Sequence, residues 1–154
     1  MSRRNGIVIA AVLAALLVLV SGALALARML RGSTPPSAVT QQHWKLDAFT
    51  FDGQPQVLVP GTSITLSFDA QTHEVSGSNG CNFYGASYSV SQDHLHLGEL
   101  RQTAMGCLKP GVMEQEAHYM TALSLITTYH LDQTGLALRD DGGRYALHFI
   151  AATS

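Results

Sequence analysis

Residues 62–69, with the sequence TSITLSFD, alternate apolar and polar side chains. Ile64, Leu66 and Phe68 project to one side of an extended chain, and the threonine and serine between them project to the other. This period of two predicts a strand with one buried and one solvated face. Further strands are predicted on both sides of it, at residues 44–51, 74–78, 86–90, 94–97, 100–103, 129–132, 136–138 and 145–149. The last two flank Asp-Asp-Gly-Gly, whose residues tolerate the angles of a tight turn, so we expect a hairpin there.

Residues 110–127 break this pattern and predict a helix. Pro110 suits a helix start, and Glu114 and Glu116 lie in the early turns, where the helix dipole favours negative charge. The spacing of one helical face is shared by seven residues, which are Val112, Glu116, Tyr119, Met120, Leu123, Ile126 and Thr127. We therefore predict an α+β fold that is mostly β. It has about eight strands, in a curved antiparallel sheet or a part-closed barrel, with one packed helix.

An uncharged run of 22 residues, 6–27, precedes this part of the chain. About 20 apolar residues in a helix cross the hydrocarbon core of a bilayer, so the run predicts a transmembrane anchor. Arg3 and Arg4 mark its cytoplasmic side, and Arg28 and Arg31 at the other end weaken that assignment. The alternative is a signal peptide that is cleaved before Arg28. Both readings place the rest of the chain in the periplasm, either anchored to the inner membrane or secreted.

The length of 154 residues allows one domain and a targeting segment. We predict an anchor or signal peptide at 1–28, a polar linker at 29–42 and the domain at 43–151. From residue 32 onward, 5 basic and 11 acidic residues give a net charge of −6. A domain of this sign is repelled by phosphate, which argues against nucleic acid and anionic lipid headgroups as partners.

Two stretches carry a more specific pattern. Residues 75–88 read VSGSNGCNFYGASY, and residues 100–123 read LRQTAMGCLKPGVMEQEAHYMTAL. Together with Trp44-Lys45-Leu46 and residues 136–149, they resemble the META domain of the HslJ-like heat-shock protein family. The matching positions are spread over more than forty residues, at Gly80-Cys81-Asn82, Gly85, Tyr88, Thr103, Met105, Cys107, Glu116, Tyr119, Met120 and Leu123.

The chain departs from the family pattern at two positions. Ala104 stands where the family usually has arginine or lysine, and Phe83 stands where polar residues are common. The resemblance implies a compact β-rich fold with one helix, an envelope location and stress-associated expression. The family has no agreed biochemical activity, so the resemblance assigns no reaction.

Cys81 and Cys107 are the only cysteines in the chain. In an oxidising compartment an even pair most often forms a disulfide, which is the favoured interpretation. Reduced thiols in the core, or a redox or metal-binding pair, are the alternatives. The sequence has no Cys-x-x-Cys motif and no basic neighbour that would lower a thiol pKa.

Glu116 lies on the apolar face of the predicted helix and is expected to point inward. A buried carboxylate is costly unless it accepts hydrogen bonds, and Asn82 and Thr103 in the two motif stretches are candidate donors. The favoured role of Glu116 is a structural clamp between the helix and the Gly-Cys-Asn loop. A ligand-binding or acid–base role, and an exposed position at the edge of the face, are the alternatives.

His94 and His96 would project from the same face of one strand, as a two-imidazole metal site requires. His73, His118 and Asp93 are candidates for a third ligand. Alternating histidines on the wet face of a strand are commoner, so we predict neither a metal nor another cofactor.

The segment Ser76-Gly77-Ser78-Asn79-Gly80 lacks the residue order of a nucleophile elbow or a phosphate-binding loop. Gly77 and Gly80 are instead expected to permit positive φ at a strand end. With no complete catalytic set, the predicted function is a non-enzymatic envelope module that contacts another envelope protein or an apolar ligand during stress. The alternatives are a small-ligand or metal carrier using His94 and His96, and a purely structural role in envelope integrity.

Overall fold

A computed structural model of the protein describes residues 37–152. The predicted anchor or signal segment at 6–27 and the first part of the predicted linker lie outside these residues. In the part that is described, no helix has both the length and the apolar character needed to cross a membrane.

Within residues 37–152, ten antiparallel strands form one sheet, and eight of them close into a barrel. The strands are β1 (His43–Phe51), β2 (Gln54–Gln56), β3 (Thr65–Asp69), β4 (Glu74–Ser78), β5 (Phe83–Ser91), β6 (His94–Leu97), β7 (Arg101–Gln102), β8 (Thr128–Leu131), β9 (Leu136–Arg139) and β10 (Ala146–Ala151). Around the barrel the order is β1-β3-β4-β5-β6-β8-β9-β10, and β10 pairs with β1 to close it. The two short strands lie off this circle, because β2 pairs with β1 and β7 pairs with β5.

The predicted fold class, mostly β with about eight antiparallel strands and one long helix, is confirmed. The barrel is closed rather than part-closed because β1 reaches three neighbours. It pairs with β10 over most of its length, and a register shift between Leu46 and Ala48 bends it. The predicted hairpin joins β9 to β10, with Arg139 opposite Ala146. Strand β2 was not predicted, because Gln-Pro-Gln lacks an apolar alternation.

Two helices accompany the barrel in the described residues: α1 (Ser37–Thr40) and α2 (Val112–Leu125). Helix α1 lies in the segment predicted as a linker, yet Val39 is buried and its carbonyl accepts a hydrogen bond from Trp44 Nε1 at 3.0 Å. Helix α2 begins at Val112 rather than at Pro110. The residue before it, Gly111, has φ of 80°, in the left-handed region, and supplies no side-chain cap.

Side chains fill the interior of the barrel. The largest of the fully buried ones come from α2, β3, β9 and β10, and they are Tyr119, Leu123, Leu66, Leu136, Leu138, Leu147 and Phe149. Two tyrosine hydroxyls are paired inside this core, with Tyr84 Oη and Tyr119 Oη 2.7 Å apart. Because Tyr84 donates to the carbonyl of Thr65 at 2.8 Å, the proton between the two rings belongs to Tyr119.

Helix α2 contacts one rim of the barrel, where β1 ends and β3 and β5 begin. His118 stacks on Phe51 at the end of β1, with ring centroids 4.0 Å apart. Gln115 accepts a hydrogen bond from the backbone of Val59 at 2.6 Å and donates to Thr62 Oγ1 at 3.1 Å. These contacts fix the helix against the loop at 57–62 and against the rim.

Gly77 permits a close approach between strands rather than a positive φ. A Cβ atom at this position would lie 1.9 Å from the carbonyl oxygen of Thr65 and 2.9 Å from Tyr84 Oη. We expect Gly77→Ala to lower the free energy of unfolding by about 2–4 kcal/mol, because backbone atoms must move to make room. Chemical denaturation measures this loss, and Gly106→Ala is the control, since its Cβ would meet open space. Equal stability of the two variants would contradict this explanation.

Burial raises the pKa of the two core tyrosines above the ordinary value of 10.0, and for Tyr119 the neighbouring Tyr84 adds to the rise. A tyrosine whose pKa is raised by folding contributes stability that is fully present below its pKa in the unfolded chain. This stability is lost as the pH rises through its pKa in the folded protein. We therefore expect the two phenols to ionise only as the protein unfolds in alkali. Tyrosinate absorbance and circular dichroism, recorded together through the alkaline transition, test this. Ionisation of every tyrosine while the fold is intact would contradict it.

Candidate functional site

The two motif stretches meet at the rim through a disulfide. Cys81 lies in the loop at 79–82, between β4 and β5, and Cys107 lies in the loop at 103–111, between β7 and α2. The two residues are bonded, with their Cα atoms 6.0 Å apart, and they are separated by 26 positions in sequence. The predicted disulfide is therefore present, and it ties together the two loops that flank α2.

The loop at 79–82 is a tight turn held by the side chain of Asn79. Its Oδ1 accepts hydrogen bonds from the backbone N–H groups of Cys81 at 3.1 Å and Asn82 at 2.6 Å. Its own N–H donates to the carbonyl of Asn82 at 2.9 Å. Gly80 has φ of 93°, the positive value expected from the sequence. This turn aims the side chain of Asn82 towards α2.

Glu116 on α2 points inward, as expected, and only 4% of it is exposed. Asn82 Nδ2 donates to both of its carboxylate oxygens, at 3.0 Å to Oε1 and 3.2 Å to Oε2. Asn79 Nδ2 donates to Oε1 at 3.2 Å. The carboxylate therefore joins the helix to the Gly-Cys-Asn loop through two side-chain amides, which is the geometry of a clamp.

Asn82 also holds the loop that carries Cys107. Its Oδ1 accepts hydrogen bonds from Thr103 Oγ1 at 2.8 Å and from the N–H of Met105 at 2.7 Å. Its Nδ2 lies 3.2 Å from the carbonyl of Met105. Thr103 was expected to donate to Glu116, but its hydroxyl contacts Asn82 instead, so its link to the carboxylate is indirect.

Two residues of this network were not singled out from the sequence. Asn79 is fully buried and donates to Gln102 Oε1 at 2.9 Å as well as to Glu116. Gln115 is also buried and holds the loop at 57–62. The sequence could have indicated that Gln115 points inward, because it lies three residues after Val112 and thus on the same helical face. No comparable signal existed for Asn79, whose partners lie on other elements.

A cleft of about 360 Å³ opens between the loop at 103–111 and α2. It is lined by Asn82, Gln102, Thr103, Ala104, Met105, Gly106, Met113 and Glu116. Four large apolar side chains are exposed on or near the two disulfide-linked loops and the first turn of α2. We call them the apolar face, and their exposed fractions are 66% for Phe83, 51% for Met105, 100% for Leu108 and 51% for Met113. Both positions that depart from the family pattern, Ala104 and Phe83, lie in this region.

The Glu116 carboxylate lacks a cationic partner within the described part of the chain. Among residues 37–152, none of the ion pairs includes Glu116. The two basic residues closest in sequence to the cleft are engaged elsewhere. Arg101 pairs with Glu74 at 3.8 Å, and Lys109 donates to the carbonyl of Pro60. Among the residues that the structure describes, the carboxylate is thus held by neutral donors alone.

Two other predicted site residues lie away from the cleft. Tyr88 packs edge to face on Phe68, with ring centroids 5.2 Å apart, and its hydroxyl lies 3.3 Å from the carbonyl of Asp69. Gly85 lies within β5, where it pairs with Ser76 on one side and β7 on the other. Both residues serve the barrel rather than the loops around Glu116.

His94 and His96 lie on the outer face of β6, and both are exposed. Across the strands they face Ser91, Ser89 and Thr128. The candidate third ligands are elsewhere, apart from Asp93, whose Oδ1 is 3.8 Å from His94 Nε2. Within residues 37–152, no group of three histidine, cysteine, aspartate or glutamate side chains is placed to hold a metal ion.

We expect Asn82→Ala to lower the free energy of unfolding by about 2–4 kcal/mol, because it leaves the Glu116 carboxylate buried with one donor fewer and frees the loop at 103–111. Chemical denaturation measures the loss. Gln133→Ala is the matched control, since it removes an exposed amide from a turn. A variant as stable as the wild type would show that the amide network contributes little.

Solved structures share this fold. A protein from Burkholderia xenovorans, determined by NMR, is 28% identical over 77% of this chain and 86% of its own, with a TM-score of 0.63. A DUF4847 family protein from Bacteroides vulgatus is 14% identical over 77% of this chain and 97% of its own, with a TM-score of 0.57. Another protein determined by NMR is 21% identical over 77% of this chain and 96% of its own, also with a TM-score of 0.57. The last two likenesses show the fold alone, and no curated protein matches the sequence significantly.

The family model of the META domain matches residues 37–153. This match begins at α1, includes both motif stretches and ends after β10, so it covers the whole barrel and α2. It agrees with the burial of Val39, which places the segment from residue 37 in the domain. The chain therefore belongs to the META domain family.

Proposed function

We propose that this protein is a non-enzymatic envelope module that binds another envelope protein through its apolar face. The observation that carries the proposal is the exposure of Phe83, Met105, Leu108 and Met113 around one disulfide, with Leu108 fully exposed. Large apolar side chains that are exposed together mark an interaction surface more often than single exposed ones do.

The apolar face is held in place before any partner arrives. The disulfide fixes Cys81 to Cys107, and Asn82 anchors the backbone of Met105 on both its N–H and its carbonyl. A surface that is already ordered loses less conformational entropy on binding, which favours affinity. This rigidity supports a binding role for the loops.

A protein partner fits the barrel better than an apolar ligand does. Small barrels that carry apolar ligands hold them in the interior. Here the interior is occupied by large buried side chains, including Tyr119, Phe149 and Leu123. The exposed apolar side chains instead lie outside, at the start of β5, on the loop at 103–111 and on the first turn of α2, where another protein can reach them.

The surroundings of Glu116 support binding rather than catalysis. Its oxygens contact the amides of Asn79 and Asn82, and an amide neither takes nor gives a proton at ordinary pH. General acid–base catalysis requires a titrating group within hydrogen-bond reach of the reacting proton. Among the residues that line the cleft, only Glu116 carries such a group, and its hydrogen bonds hold it in a structural network.

We further propose that the domain faces the periplasm, anchored by residues 6–27 or released if that segment is cleaved. The disulfide supports an oxidising compartment. The net charge of −6 for the part after the anchor supports a protein partner over an anionic headgroup. Expression during envelope stress remains part of this proposal, from the family resemblance.

The proposal is tested by photo-crosslinking in living cells under heat stress. A benzophenone side chain at position 83 or 108 of the full chain is expected to give one discrete adduct, the same from both sites. The same probe at Gln133, exposed on a turn between β8 and β9, is the control and is expected to give none. Leu108→Glu should abolish the adduct from position 83, because it places a charge in the interface. Alkylation of thiols in the same cells reports the disulfide, which should be intact.

Equal adducts from all three positions, or none from positions 83 and 108, would contradict the proposal. A growth defect on deletion without any adduct would favour the purely structural role instead. Free thiols in the wild type would contradict the periplasmic location.

A further inference from the structure

We propose that the cleft beside Glu116 binds a lysine side chain from an extended segment of the partner protein. This inference rests on the proposed function and names the chemistry of the segment that binds. It follows from the charge of Glu116, the shape of the cleft and the open edge of β7.

Glu116 has no cationic partner among the described residues. The side chain is 4% exposed, and in the described residues its oxygens accept hydrogen bonds only from the neutral amides of Asn79 and Asn82. A buried carboxylate is costly unless it is paired and hydrogen-bonded. Glu116 also lines the cleft, so a cation that enters from solvent can pair with it.

The hydrogen bonds at Glu116 leave room for one more donor. A carboxylate has about four acceptor sites, and Oε1 already has two partners, Asn79 and Asn82. Oε2 has one, at 3.2 Å from Asn82 Nδ2. An arginine that pairs with both oxygens would compete with these amides, whereas an ammonium group needs a single oxygen. The geometry therefore favours lysine over arginine.

The walls of the cleft suit the stem of a lysine. Met105 and Met113 both line it, and each is 51% exposed. Thioether side chains are flexible and pack against apolar groups of varied shape. A lysine stem of four methylene groups can lie between them while its ammonium reaches Glu116. An apolar wall beside a charged end is the pattern that such an amphipathic side chain requires.

The edge of β7 is placed to hold the backbone of the incoming segment. Among the described strands, β7 pairs with β5 alone. Thr103 N–H donates to the carbonyl of Phe83 at 3.0 Å, and the next pair in register is Gln102 opposite Tyr84. In an antiparallel ladder, successive residues point their N–H and C=O groups alternately towards and away from the partner strand. Those of Gln102 therefore point away from β5, where an added strand can pair with them.

The overall charge assists the encounter. The described residues include 5 basic and 11 acidic side chains, a net charge of −6. A negative domain attracts basic segments over a distance of about one Debye length, roughly 8 Å at physiological salt. The same charge disfavours an acidic segment at this cleft.

The test uses the full chain in nanodiscs and a blocked peptide, acetyl-Leu-Val-Lys-Val-Leu-amide, followed by NMR and calorimetry. The expected result is saturable binding with shifts at Met105, Met113 and Ala104. The same peptide with norleucine in place of lysine should bind at least about tenfold more weakly, because it lacks the charge-assisted hydrogen bond. Free pentylamine should also bind more weakly than the peptide, because it cannot pair with β7.

Two sets of variants separate charge from folding. Glu116→Gln should weaken lysine-peptide binding at least about tenfold and leave the norleucine peptide unaffected. Should Glu116→Gln unfold, Ala104 provides a second route, since it is exposed and lines the cleft. Ala104→Lys should block the peptide by supplying its own ammonium, whereas Ala104→Met, of similar length and uncharged, should block it less.

Equal binding of the lysine and norleucine peptides, or equal effects of Ala104→Lys and Ala104→Met, would overturn the proposal. Equal affinity for pentylamine and the peptide would overturn the assignment to a protein segment. In each case the adducts from positions 83 and 108 would persist if the proposed function is right, so the two failures are distinguishable.

Discussion

The side-chain amide of Asn82 joins three parts of the chain that are distant in sequence. Its Nδ2 holds the Glu116 carboxylate on α2, and its Oδ1 holds Thr103 and Met105 on the loop before the helix. The disulfide at the adjacent residue, Cys81, adds a covalent link to the same loop. The position of α2 on the rim and the width of the cleft both depend on these hydrogen bonds and on the disulfide. Because Asn82 is 2% exposed, each of its hydrogen bonds is shielded from competing water.

Closure of the barrel limits the places where a ligand can bind. With β1 paired to β10, no edge of the eight-stranded circle is open, and the interior is filled by side chains such as Tyr119 and Phe149. A ligand therefore meets the outer surface or the rim. Below the rim, Tyr84 and Tyr119 are paired inside the core, and Gln115 holds the loop at 57–62 against α2. The disulfide and the hydrogen bonds of Asn82 to Met105 hold the loops that carry the apolar face.

Much of the candidate site was predictable from the residues, and its detailed contacts were not. The inward orientation of Glu116 followed from the spacing of one helical face, and the disulfide followed from an even cysteine pair. The predicted contact of Thr103 with Glu116 was wrong, because the sequence cannot distinguish a direct hydrogen bond to Glu116 from a link through Asn82. Asn79 was missed because its burial depends on Gln102 and Glu116, which belong to other elements. The sequence predicts a positive φ at Gly77, whereas the structure requires glycine there because the carbonyl of Thr65 leaves no room for a Cβ atom.

The sequence by itself determined the alternating strands, a helix within residues 110–127, the hairpin before β10 and the apolar run at 6–27. Each of these is a local pattern, set by side-chain periodicity or by turn residues over a few positions. Only the tertiary structure decided the β1–β10 closure, the fully exposed Leu108 and the cleft beside Glu116. These features join residues far apart in sequence, and their geometry depends on how the whole chain packs. Local patterns in the sequence thus predict the strands and the helix of the META domain, while the arrangement of its exposed loops depends on long-range contacts.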